Sequence, residues 1–170
     1  MKIPKPTDPE DESAWRAFLR ACERHHESLR GRVPEHALAL LKLKGVDDGL
    51  LVEADYNRAE RTLKVVLRCG HLQMGYYDLV LQFHDAELSP RNRRVLRLIA
   101  DTTQSCGVYE FDLYRFELDL ASDGAMILRM EFCGFNFPDM WVEIRCRTFE
   151  WHTEPRPNRE LPNISRYRER

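Results

Sequence analysis

Four stretches of this chain alternate apolar and polar residues with a period of two, and that period limits the fold more than any other feature. Leu63, Val65, Leu67 and Cys69 alternate with Lys64, Val66 and Arg68. Tyr77, Leu79, Leu81 and Phe83 alternate with Asp78, Val80, Gln82 and His84. Met126, Leu128, Met130 and Phe132 interleave with Ile127, Arg129 and Glu131, and Val142, Ile144 and Cys146 with Glu143, Arg145 and Arg147. Successive strand side chains point to opposite faces, so each run predicts a strand with one buried face. Gly, Asn, Asp and Pro signals bound the runs, which suits an antiparallel sheet. Leu50-Leu51-Val52-Glu53-Ala54-Asp55-Tyr56 predicts a further strand, Asn57-Arg58-Ala59-Glu60 a turn, and Asp123-Gly124 a hairpin turn. Between 109 and 120 the apolar phase slips from Tyr109, Phe111 and Leu113 to Phe116, Leu118 and Leu120. A one-residue slip would flip every later side chain unless a bulge absorbs it, so a bulge is expected near Tyr114-Arg115.

Ahead of the strands the period is helical. Residues 1–6 read as a short disordered lead, and Thr7-Asp8-Pro9-Glu10 as a helix start with a reciprocal capping box. Trp15, Phe18, Leu19, Cys22 and Leu29 form one apolar stripe, and Gly31 supplies a stop. A shorter helix opens at Pro34, carries Leu38, Leu40, Leu41 and Leu43, and ends at Gly45, giving a helix hairpin. Ser89 to Thr103 places Val95, Leu98 and Ile99 at helical spacing and reads as an inserted helix. Helices first and strands after indicate an α+β protein, with the hairpin packed on a mainly antiparallel sheet. Residues 1–152 form one such domain, and 153–170 a tail rich in Pro and Arg.

Composition narrows the function classes. Lys+Arg 26 against Asp+Glu 28 gives a net charge of -2, without the basic excess of a dedicated nucleic-acid binder. No stretch approaches the ~18 consecutive apolar residues of a membrane span, and no apolar run follows the two N-terminal lysines as a secretory leader requires. The five cysteines, Cys22, Cys69, Cys106, Cys133 and Cys146, contain no C-x-x-C pair. That argues against a disulfide framework or a zinc site, and suits a reducing, cytoplasmic compartment.

Each candidate site has a plain structural reading beside it. His25-His26 and His36 lack the spacing of metal ligands on one helix face, and read as a solvated polar surface. Asp47-Asp48 before Gly49 reads as turn chemistry, because further oxygen ligands at calcium-loop offsets are missing. His84-Asp85 cannot pair directly on a strand, and no nucleophile elbow exists. Arg91, Arg93, Arg94 and Arg97 form a basic patch without interleaved aromatics, hence a solvated helix face. No glycine-rich phosphate loop is present. Glu110, Asp112, Glu117 and Asp119 make the densest acidic run, able to flank a metal or a glycosidic bond, or simply to form an exposed charged face. Phe135-Asn136-Phe137-Pro138-Asp139-Met140-Trp141 reads as a loop, yet carries three aromatics and a Met of the kind that fill interface cores. The alternative is that these residues fold over an open edge of the sheet.

The order of parts resembles uncharacterised bacterial α+β domains of unknown function. It runs from the helix pair around Arg30 to Leu41, through Leu50 to Tyr56, Gly75-Tyr76-Tyr77-Asp78-Leu79-Val80-Leu81, Asp123-Gly124 and Met130-Glu131-Phe132, to a closing strand from Val142 to Trp151. Some similar proteins are immunity proteins that neutralise toxins, which implies a bacterial binding protein. A hydrophobic-His-Asp step in such families falls at an earlier strand, where this chain reads Val46-Asp47-Asp48-Gly49, so no functional residue carries over. The expectation is a non-catalytic module without cofactor or metal. It contacts a protein partner or a second copy through Phe135, Phe137, Met140 and Trp141, and binds neither nucleic acid nor membrane. The rival is a metal-assisted hydrolase or small-ligand binder using the acidic run.

Overall fold

The computed structural model describes residues 3–8, 10–71, 75–106, 111–134 and 137–156. Among the described residues seven antiparallel strands form two sheets. The first contains β1 (Leu50–Asn57), β2 (Thr62–His71), β3 (Gly75–His84) and β7 (Thr148–Arg156), in the order β1-β2-β3-β7. The second contains β4 (Phe111–Leu120), β5 (Met126–Gly134) and β6 (Phe137–Cys146), in the order β4-β5-β6. Where a single main sheet was expected there are two. The cause lies at Arg147, the one residue between β6 and β7, across which the chain leaves one sheet for the other.

The alternating runs bury the faces their pattern dictates. Leu63, Val65 and Leu67 of β2, Leu79, Leu81 and Phe83 of β3, and Phe149 of β7 are sealed from solvent, as are Leu128, Met130, Phe132, Val142 and Ile144. All belong to one continuous cluster. Each such side chain contributes roughly 1.5–3 kcal/mol of transfer free energy. On β4 the expected bulge lies between Leu113 and Arg115, so that Leu113 and Leu118 both reach the core. β7 runs on to Arg156, four residues past the domain end read at 152, because backbone pairing with Tyr76 and Tyr77 continues.

The helices are α1 (Glu12–Leu29), α2 (Glu35–Leu40) and α3 (Pro90–Cys106). α1 begins later than the Thr7 capping box suggested. Asp11 is the cap, its carboxylate accepting from the Ala14 amide at 2.9 Å, an aspartate at a favoured position. α2 spans only six residues, so the second arm of the expected hairpin is little more than a turn and a half. The lead is not loose at Ile3, which is buried.

Among the described residues each edge strand has a contact laid against part of its length, which guards against pairing with other chains there. Leu113 of β4 donates to Gly49 O at 2.8 Å and accepts from Asp48 N at 2.9 Å. Gly49 is required there, since a Cβ would stand 2.7 Å from Val46 O. Glu87 and Arg145 exchange backbone hydrogen bonds on β6, and Asn92 Nδ2 donates to Glu143 O at 2.7 Å. His36 Nε2 lies 2.7 Å from Phe149 O, and Trp151 Nε1 donates to His36 O, which ties α2 to β7. α3 packs beside β1 and β6.

Candidate functional site

The face of the three-stranded sheet that points away from the core carries a checkerboard of charge. Across the strands the register aligns Arg115, Glu131 and Trp141 in one row, and Glu117, Arg129 and Glu143 in the next. Arg115 Nε donates to Glu131 Oε2 at 2.6 Å, and its Nη2 stands 3.3 Å from Glu117 Oε1. Arg129 Nε donates to Glu143 Oε2 at 2.8 Å, and its Nη1 to Asp119 Oδ2 at 3.3 Å. Glu117, Arg129 and Glu131 are all buried, and such charges are tolerated only when paired. Neither oxygen of Glu117 accepts a hydrogen bond, although guanidinium groups flank it at 3.3 and 4.0 Å.

α1 and the lead cover this face. Phe18 lies under the Arg115 guanidinium, 4.8 Å from carbon to ring centroid, and Ile3 O accepts from Arg115 Nη2 at 3.2 Å. His25 Nε2 is 2.9 Å from Leu118 O and 3.9 Å from Asp119 Oδ1. A carbonyl only accepts, so this nitrogen carries a proton. His25 therefore belongs to the packed face of α1 and not to a solvated one, while Leu19 of the expected apolar stripe is 56% exposed. Burial pushes the Cys22 thiol above its usual range, against the pull of Arg115.

The acidic run divides at the bulge. Glu117 and Asp119 fall on the charged face, each beside an arginine. Asp112, before the bulge, is half-buried, and burial with the nearby Asp48 charge pushes its carboxyl up to about 6. Glu110 lies outside the described residues. Among the described residues, Glu131, Cys133 and Asp139 bring possible metal-ligating atoms within 4.8 Å of one another. Both carboxylates already face cations, Glu131 at Arg115 and Asp139 at Lys5, 3.4 Å away. Burial and a hydrogen bond to Asp139 push the Cys133 thiol up to about 11, far from a ready thiolate ligand.

The aromatic segment is mostly strand where a loop was expected. β6 begins at Phe137, pairing with Gly134 across the hairpin, and Pro138 is accommodated because β6 is an edge strand. Phe135 lies outside the described residues, as does the side chain of Phe137. Met140 packs against the core. Trp141, one residue on, takes the opposite face and stands half-buried beneath the Arg115 guanidinium, 5.0 Å from its ring. Arg115, Arg129 and Glu131 were missed as site residues. Their signal was opposite charges at the outward positions of two strands that a hairpin pairs. No protein-family model matches the chain, and neither does any curated protein or solved structure.

Proposed function

We propose that this chain is a non-catalytic protein-binding module, immunity-like in its order of parts, whose contact surface centres on Trp141 and the adjoining start of β6. The observation that carries this reading is the position of Trp141. It stands half-buried on an edge strand, with the Arg115 guanidinium over its ring, and follows the aromatic segment at 135–137 in the sequence. Trp with a fixed ring and a polar rim of Asp139 and Lys5 has the chemistry of an interface anchor. Two carboxylates on which the rival hydrolase reading draws, Glu117 and Asp119, are engaged by Arg115 and Arg129, which leaves them poorly placed to take a metal. The test is association: sedimentation of the pure protein for self-assembly, and capture of partners from bacterial extract on immobilised wild type and Trp141→Ala. A partner, or a second copy, retained by the wild type and lost by the variant is the expected result. Identical behaviour of the two contradicts the reading.

A further inference from the structure

Several arginines of the described chain find carboxylates: Arg61 at Glu87, Arg68 at Asp78, Arg115 at Glu131, Arg129 at Glu143. Among the described residues nine others form no ion pair, and five of those nine, Arg58, Arg91, Arg93, Arg94 and Arg97, lie on α3 or in the β1–β2 turn. Three of the five, Arg58, Arg93 and Arg97, line a cleft of about 190 Å³ between β1 and α3. Its floor is apolar, with Leu88 and Leu96 buried, and Tyr56 and Asp55 stand in its wall.

Arg93 is the most informative of the three. Its guanidinium is held 5.6 Å from the centroid of Tyr56, whose hydroxyl is itself fixed by donating to Ala86 O at 3.2 Å. Its Nε is buried and has no hydrogen-bond acceptor. A buried N–H left without an acceptor is a cost that folding seldom leaves uncompensated. An oxyanion in the cleft would give the guanidinium forks of Arg93 and Arg97 acceptors and neutralise the like charges gathered there.

We infer that the cleft between β1 and α3 binds the phosphate group of a small phosphorylated ligand. Guanidinium forks match phosphate oxygens in pairs, which single ammonium groups do not. The cleft is smaller than the roughly 300–1,000 Å³ that encloses a whole drug-sized ligand, so it takes the phosphate head while the rest of the molecule projects outward. Asp55 on the rim is placed to accept from a hydroxyl of that remainder and to disfavour ligands with further negative charge there. The site is independent of the Trp141 surface and stands or falls apart from it.

Calorimetric titration at low salt with inorganic phosphate, and separately with adenosine monophosphate, tests this. Saturable binding of either at one site per chain is expected, with tighter binding of the monoester marking an esterified ligand and equal binding marking phosphate itself. Arg93→Gln and Arg97→Gln should each weaken it about tenfold, the loss expected for one charge-assisted contact. Arg24→Gln, on exposed α1 surface, should leave it unchanged. Arg97 is exposed, so that variant folds even if Arg93→Gln does not. No saturable binding of either probe, or equal weakening by Arg24→Gln, overturns the assignment. So does much tighter binding of a single-stranded oligonucleotide, whose steep salt dependence would make the arginines a nucleic-acid surface instead.

Discussion

Arg115 Nε lies 2.6 Å from Glu131 Oε2, directly across the β4–β5 ladder, with both side chains almost wholly removed from solvent. The pairing exists because the bulge after Leu113 turns Arg115 outward. Without it, Arg115 would point into the core and Glu131 would be buried without a cation. One irregular residue on β4 thus sets the charge pattern of the whole face, and with it the ring of Trp141 that Arg115 covers.

The charged face should be costly to break. Arg129→Ala leaves Glu117 and Asp119 short of a cation in a buried setting, and should destabilise by about 3–5 kcal/mol in urea unfolding. Arg16→Ala, which removes only the exposed pair with Glu12 one helical turn away, should cost about 0.5 kcal/mol. Equal losses for the two would mean that the network contributes little.

Asp112 gives a pH dependence whose sign can be worked out. Its carboxyl titrates at about 6 in the folded chain and at the ordinary aspartate value of 3.8 when unfolded, so the folded state holds the proton more tightly. Stability from this group is full below pH 3.8, declines as pH rises towards 6, and stays reduced above. Asp112→Asn should therefore raise the melting temperature at pH 7 and change it little at pH 3.5. A melting temperature lowered at pH 7 would show that the carboxylate is needed in its charged form.

The thiols should be slow. Burial pushes Cys69 and Cys146 up to about 12 and Cys133 to about 11, and raises Cys22 as well. Thiolate is the reactive species, so iodoacetamide at pH 7.5 should label these four far more slowly in the native protein than after denaturation. Mass spectrometry of partial digests reads this site by site, and rapid native labelling of Cys133 would place its thiol in a different electrostatic setting.

What could be read in the sequence was local. Alternation at Leu63 to Cys69 or Met126 to Phe132 reports which residues face a core, because period and burial are one fact. The slip between Leu113 and Phe116 announced its bulge for the same reason. Division into two sheets was not legible, since alternation is identical whichever sheet a strand joins. The position of Trp141 was hidden by Pro138, which signals a loop but is equally at home near the start of an edge strand. His25 was misread because its burial depends on Leu118, 93 residues away, and no local pattern carries that contact.

Trp141→Ala bears most directly on the proposed interface. Measured by denaturant melts at low protein concentration beside sedimentation and partner binding at high concentration, it should weaken association by about 2 kcal/mol or more. The half-buried ring should cost the monomer less than that, chiefly its contact with Arg115 at about 0.5–1 kcal/mol. A loss of about 3–5 kcal/mol in monomer stability with association unchanged would contradict the account, and would make Trp141 a lid over the charged face and not a contact for another chain.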